Sequence, residues 1–316
     1  MNTIINVKNL VKRYRDAKTN AVDDISFSVN RGEFFALLGP NGAGKTTTIS
    51  ILTTTLSKTS GEITIADFDI DKNQSEVRRN IGIIFQNPSL DMNLTAEENI
   101  RLHAILYGLY SFRPSFSLMP QDYQKKVKKL VEILGISNEI FKPVKTFSGG
   151  MKRKLEIVRS LIHNPKVLFL DEPTSGLDPL SRKNLWEYLQ EVRRTEKTTI
   201  FLTTHYLEEA EAADNICIIN NGKIITMGTP QHIKGALVEE YLLLSASDMG
   251  QLEEELHELK IPFQKDGMIK INLNTMSAQT IIQKIKTKLT DIKIHTPTLE
   301  EAYLEIISTA NNENQA

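Results

Sequence analysis

Several short apolar runs punctuate the first two thirds of the chain, and each gives way abruptly to a different kind of polar residue. Glu33–Leu38 runs into glycines, Ile81–Phe85 into Gln86, Lys166–Leu170 into the acidic pair Asp171-Glu172, and Thr198–Thr204 into His205. Runs of this length without polar alternation predict strands buried on both faces, as in a parallel sheet, and such a sheet collects at its C-terminal edge whatever follows each strand. Residues from about 88 to 165 read as mostly helical, with a helix predicted over Lys152–His163.

After Gly235 the pattern changes. Strand-like Glu240–Ser245, helical Met249–Lys260, strand-like Pro262–Asn274, helical Ala278–Leu289 and strand-like Asp291–His295 predict a βαββαβ unit, a small ferredoxin-like α+β domain. Thr298-Leu-Glu-Glu301 is a helix-start capping box, and Leu299, Tyr303, Ile306 and Ile307 form an apolar stripe at helical spacing. The predicted organisation is a larger α/β domain over residues 1–235 and an accessory domain over 236–316.

Composition narrows the possibilities further. The chain has 316 residues, of which 40% are hydrophobic and 24% charged, enough to bury one large core and one small one. A formal net charge of −1 lacks the basic surplus that neutralises phosphate backbones, so no nucleic-acid partner is expected. Residues 237–316 carry 7 lysines against 13 acidic residues, leaving 31 basic against 26 acidic before them, so the two regions are expected to meet different partners. Cys217 lies in the apolar run Asn-Ile-Cys-Ile-Ile and reads as a buried reduced thiol. The N-terminus has no apolar signal core, and no stretch is long and apolar enough to span a bilayer.

The chemistry starts at Gly39-Pro40-Asn41-Gly42-Ala43-Gly44-Lys45-Thr46-Thr47, placed between a strand-like run and a helix-like one. Its glycines let backbone N–H groups turn inward around a polyphosphate, while the following helix N-terminus adds partial positive charge. Lys45 is placed to reach the β- and γ-phosphates and Thr46 to ligate Mg²⁺. Asp171, at a strand end, suits the same Mg²⁺, directly or through water, and Glu172 next to it faces elsewhere and can polarise an attacking water. ATP with Mg²⁺ is the implied nucleotide.

Two further groups carry a resemblance. Phe147-Ser148-Gly149-Gly150-Met151 lies just before a helix, with Ser148 only 23 residues before Asp171, and Ser175-Gly176-Leu177-Asp178 follows the acidic pair. With the strand ending in His205, these resemble the signature, D-loop and switch histidine of ABC transporter ATPases, over about residues 3–235. The resemblance implies a P-loop NTPase core with ABC-type antiparallel β and helical subdomains. It gives His205 the γ-phosphate and attacking water, Gln86 a Mg²⁺ contact at a hinge, and Tyr14 the adenine ring. It also implies that Ser148, Gly149 and Gly150, a second anion site at a helix start, act on the nucleotide of another ATPase subunit, identical or not, and it counts Asp178 among the nucleotide-binding residues.

Phe147, Met151 and the phrase Thr296-Pro-Thr-Leu-Glu-Glu-Ala-Tyr-Leu-Glu-Ile resemble the daunorubicin-type, drug-resistance branch of exporters. The implied partners are membrane-spanning transporter subunits, and the implied location is the cytoplasmic side of the membrane. An importer would share the same ATPase chemistry. A chromosome-organising ABC ATPase would need a long coiled coil between Lys45 and Ser148, which are only 103 positions apart, and a translation-type member would carry two cassettes. The aromatic stretch Tyr107–Pro120 reads equally as a contact surface or a self-packed insertion.

Overall fold

The computed structural model describes residues 2–85, 89–174, 177–237, 240–273 and 276–313. It divides into two compact units, Met1–Gly228 and Thr229–Ala316.

In the first unit the chain runs β1 (Thr3–Lys12), β2 (Val22–Asn30), β3 (Phe34–Leu38), α1 (Lys45–Leu52), β4 (Ser60–Ile65), β5 (Phe68–Asp69), α2 (Gln74–Asn80) and β6 (Ile81–Ile84). Then come α3 (Ala96–Leu106), α4 (Gln121–Ile133), α5 (Gly149–Leu161), β7 (Val167–Asp171), α6 (Pro179–Glu196), β8 (Thr199–Thr204), α7 (Leu207–Ala210), β9 (Asn215–Asn220) and β10 (Lys223–Gly228). The described strands form two sheets, ordered β2-β1-β4-β5 and β10-β9-β3-β8-β7-β6.

The second sheet is parallel from β9 through β6, with β10 added antiparallel at one edge. Its central strands β3, β7 and β8 are buried at every position, which is why they read as unbroken apolar runs. The antiparallel sheet instead alternates: along β2, Ile25, Phe27 and Val29 point inward and their neighbours outward. The inward faces meet in one core, where Phe27 stacks on Phe35 at 5.5 Å, Phe35 on Phe201 at 5.3 Å, and Phe201 meets Phe169 at 5.3 Å. Cys217 is fully buried in that core, and burial raises its thiol to about 12, so it is the inert thiol expected.

The predicted helical stretch resolves into α3, α4 and α5. A capping box starts α3: Thr95 Oγ1 accepts from Glu98 N at 3.2 Å while Thr95 N donates to Glu98 Oε2 at 2.8 Å. The aromatic stretch between α3 and α4 is partly self-packed. Phe116 lies 6.0 Å from Tyr123 and 5.6 Å from Phe141, and Tyr110 donates to Asp122, whereas Leu106 and Phe112 stay exposed.

The second unit contains α8 (Pro230–Leu237), β11 (Tyr241–Ala246), α9 (Met249–Glu258), β12 (Gln264–Asp266), β13 (Met268–Asn272), α10 (Ala278–Lys284), β14 (Leu289–His295) and α11 (Leu299–Glu313). Its sheet has the order β12-β13-β11-β14 with antiparallel pairings, the ferredoxin-like arrangement of βαββαβ. Leu242, Leu244, Ile269 and Ile271 bury one face against Leu252 and Leu256 of α9 and Ile281 of α10.

Two boundaries differ from the sequence expectation, and a third stretch divides as the βαββαβ order requires. The unit border precedes α8 and does not follow Gly235, because α8 packs against α11. Pro262–Asn274 divides at Gly267, which turns with φ +69 into a hairpin; Asn274 itself lies outside the described residues. Helix α10 ends at Lys284, short of Leu289, because the Glu255 carboxylate captures Lys286 N at 2.6 Å and Thr287 N at 2.9 Å. Those N–H groups would otherwise continue the helix ladder. The capping box at Thr298–Glu301 forms, and Leu299 and Ile306 of the predicted stripe are buried. Among the described residues, no helix is long and apolar enough to cross a membrane.

Candidate active site

Register alone gathers the first candidates. In the parallel sheet Leu38 of β3 pairs with Thr204 of β8, and Thr203 pairs with Asp171 of β7. The glycine loop after β3, the acidic pair closing β7 and His205 after β8 therefore emerge side by side at one sheet edge, the position where open α/β sheets bind ligands.

The loop enters α1 through Gly44, whose φ of +108 is open only to glycine and whose Cα lies so close to Ala21 that an added Cβ would sit 2.5 Å from the Ala21 carbonyl. Lys45 follows, 6% exposed, with Nζ donating to the carbonyls of Gly39 at 2.7 Å and Pro40 at 3.1 Å. Burial lowers its pKa, opposed by the nearby carboxylates of Glu172 and Asp171. Its ammonium is thus held by neutral acceptors that an anion can replace. Thr46 is exposed at the helix start, and Thr47 lies beside Tyr14, hydroxyl to hydroxyl 3.3 Å. Tyr14 is 46% exposed, with Lys12 Nζ 5.4 Å from the centroid of its ring.

Asp171 is buried, accepts from Thr203 Oγ1 and has its pKa raised, chiefly by burial. Glu172 turns the chain sharply: its φ is +47, uncommon for a residue with a side chain, and its N–H reaches back to the Thr203 carbonyl at 3.0 Å. Its carboxylate meets His205, whose Nδ1 lies 3.1 Å from Glu172 Oε1. The pair spans 33 residues of sequence.

The helix-start group belongs to α5. Ser148 caps α5, its Oγ accepting from Met151 N at 3.3 Å. Gly149 has open space where a side chain would go, and Gly150 faces Leu177. Asp178 caps α6 by accepting from Ser181 N at 2.9 Å, and those Ser181 hydrogen bonds lower its pKa. Gln86, Ser175 and Gly176 lie outside the described residues.

Sequence patterns gave no notice of two buried side chains that hold this edge together. Glu209 accepts from Thr174 Oγ1 in the turn following Glu172 and from Thr204 Oγ1, next to His205, at 2.7 Å. Arg153 of α5 reaches the carbonyls around Glu172. Their one visible signal is a charge on the apolar face of a helix.

For Mg²⁺ the donors fit: an exposed hydroxyl, Thr46, and a strand-end carboxylate, Asp171, are oxygen ligands of the sparse kind that Mg²⁺ takes with phosphates and water completing its shell. Among the described residues, no cluster of three or more His, Cys, Asp or Glu side chains forms a metal cage.

A family model described as ABC transporter matches residues 22–175. The Doxorubicin resistance ATP-binding protein DrrA of Mycobacterium tuberculosis is 33% identical over 314 residues, covering 94% of this chain and 92% of that protein. The chain belongs to the ABC transporter ATP-binding family. Nod factor export ATP-binding protein I of Ralstonia nicotianae is similar over 231 residues at 39% identity, 73% of this chain and 68% of that one. A solved structure described as the ATP binding subunit of an ABC transporter shares 33% identity at a TM-score of 0.66, covering 74% of this chain and 92% of that one. A second family model, described as AAA domain, putative AbiEii toxin, Type IV TA system, matches residues 142–209, overlapping the first. As an ABC ATPase the chain binds and hydrolyses ATP, and ATP-binding subunits of this family work with membrane subunits. The alignment with the doxorubicin-resistance protein extends through most of the second unit.

Proposed function

We propose that this ABC ATPase drives export through separate membrane-spanning subunits, with each ATP held between two ATPase chains, identical or paired with a second type. The observation that carries the catalytic reading is the 3.1 Å contact between Glu172 and His205 beside buried Lys45.

In this reading Lys45 leaves the Gly39 and Pro40 carbonyls for the β- and γ-phosphates, and the N–H groups of the loop from Gly39 through Asn41, Gly42 and Ala43 to Thr47 line the polyphosphate. Tyr14 stacks on adenine. Thr46, Asp171 and Gln86 hold Mg²⁺, which when bound neutralises phosphate charge. Glu172 orients the attacking water and takes its proton, as the water oxygen bonds to the γ-phosphorus and the bond to the β–γ bridging oxygen breaks, giving ADP and phosphate. His205 fixes the Glu172 carboxylate from one side and faces the γ-phosphate with the other. The Ser148–Gly150 turn of the second chain closes the site, and Asp178 lies at that junction.

Binding then closes the dimer, hydrolysis removes the γ-phosphate bridge, and the membrane subunits follow the motion from the cytoplasmic side. Export is favoured over import by the functions for which the relatives are named, doxorubicin resistance and Nod factor export, and by the branch residues Phe147 and Met151. The Thr229–Ala316 unit is assigned to holding two copies together. Its edge strand β14 exposes Ile292 at 45% and Ile294 at 54%, and Asp291 and Lys293 on the same strand suit an antiparallel copy of itself.

The test is Glu172→Gln. It is expected to bind ATP with unchanged affinity, lose turnover by about a hundredfold or more, and accumulate as a closed dimer visible by size-exclusion chromatography in ATP. Turnover at the wild-type rate overturns the catalytic assignment. Purified from solubilised membranes, the same variant is expected with membrane-spanning subunits attached, and recovery without them argues against the transporter partnership.

A further inference from the structure

Arg153 is the fifth residue of α5 and only 5% exposed. A guanidinium carries five N–H donors in a rigid plane. Here all five find acceptors. Nε donates to the Pro173 carbonyl at 2.7 Å, Nη2 to the carbonyls of Asp171 at 3.2 Å and Glu172 at 3.1 Å, and Nη1 to Glu156 Oε2 at 3.1 Å and to the Phe85 carbonyl. Glu156 in turn accepts from Ser89 N at 2.9 Å.

Three of these acceptors are consecutive carbonyls, and the middle one belongs to the residue with φ +47. A left-handed turn at a glutamate is disfavoured and persists only where its surroundings over-determine it. Turning three successive carbonyls to one side is the geometry that a single planar cation can lock. The fourth carbonyl, Phe85, ends the segment leading to Gln86, and the helix bearing Arg153 starts at Ser148–Gly150.

We propose that Arg153 is a positioning residue for ATP hydrolysis: it holds the main chain of Glu172 in the turn that aims its carboxylate at His205, and ties that turn to the start of α5 and to the segment before Gln86. This rests on Glu172 being the group that orients water. A shift of α5 then reaches the reacting site of its own chain through one side chain, without passing through the nucleotide. Lysine cannot substitute, because its three donors sit on one nitrogen and cannot span acceptors from α5, Phe85 and Asp171–Pro173 together.

The experiment compares Arg153→Gln and Arg153→Lys with wild type by ATP affinity, KM and kcat, and repeats Arg153→Gln in the Glu172→Gln background using release of labelled phosphate for slow turnover. Both single variants are expected to keep ATP affinity and KM within about threefold while kcat falls by about ten- to a hundredfold, the size of effect of a roughly 1 Å misplacement. In the Glu172→Gln background the second substitution is expected to slow the residual rate no further, because both act on one group. Wild-type kcat in either single variant overturns the proposal, as does a second loss that multiplies with the first. A variant that loses ATP binding together with its thermal transition assigns Arg153 to folding alone and also overturns it. Normal turnover in Glu172→Gln by itself locates the failure in the catalytic assignment and removes the basis of this one.

Discussion

Replacing Gly39 by alanine tests whether the loop geometry, and not merely its composition, makes the site. The φ of Gly39 is not left-handed, so conformation alone tolerates alanine, and the constraint is space. A Cβ on Gly39 would lie 2.2 Å from the carbonyl oxygen of Ile219, 3.0 Å from Ile219 Cγ2 and 3.1 Å from Ala43 Cβ. Ile219 is fully buried in β9 and paired to Ile224 of β10, so its carbonyl has no room to retreat. The loop must therefore move by about 1 Å to restore ordinary contact distances. Overpacking of that order costs about 1–3 kcal/mol, which lowers the melting temperature of a unit this size by about 2–12 °C. The Gly39 carbonyl is also an anchor of Lys45, so the shift propagates to the phosphate cradle. A displacement of about 1 Å there is expected to lower kcat/KM for ATP by about a hundredfold. Steady-state phosphate release and a thermal melt on the same preparation measure both. A Gly39→Ala chain with kcat/KM within about twofold of wild type and an unmoved melt would refute the reasoning. Lost stability with full turnover would show that the strain is absorbed away from the cradle.

Two further outcomes follow from individual contacts. Tyr14→Ala is expected to raise KM for ATP by about 5- to 100-fold, the worth of one base stack, with kcat at saturation retained. Tyr14→Phe keeps the ring and loses only the contact with Thr47, so a wild-type KM in the alanine variant would remove Tyr14 from the site. His103 packs 4.2 Å from Tyr107 and 5.7 Å from His163, and burial, with Arg159 and His163 nearby, lowers its pKa to about 3. Its unfolded value is about 6.5, so the stability it contributes is present above that pH and is lost as pH falls from about 6.5 toward about 3. Denaturant titrations across that range should show His103→Phe with a shallower slope than wild type; equal slopes would mean that His103 titrates normally in the fold. His163, also lowered by burial, leaves a residual slope.

Much of the site is legible in the sequence, because its parts are local. A glycine loop between an apolar run and a helix start, two acids closing a buried strand, and Ser-Gly-Gly before a helix each state their chemistry within about ten residues through hydrogen-bonding and apolar periodicity. Parallel pairing of β3, β8 and β7 then brings Lys45, Asp171, Glu172 and His205 to one edge, as unbroken apolar strands require. The βαββαβ order of the second unit is legible for the same reason. Where α10 ends is not, since its stop is imposed by Glu255, 31 residues away from Lys286.

What the tertiary structure alone decides is which distant groups hold the local motifs in shape. The left-handed turn at Glu172, its contact with His205, the Glu209 carboxylate between Thr174 and Thr204, and the four carbonyls that Arg153 gathers join segments that sequence keeps 18 to 68 residues apart, save for the step of 5 from Thr204 to Glu209. A charged residue on an apolar helix face looks the same in sequence whether it finds one acceptor or five. The number depends on which backbone carbonyls the folded chain leaves without a ladder partner, and that is fixed only when the helix and the sheet edge have packed together.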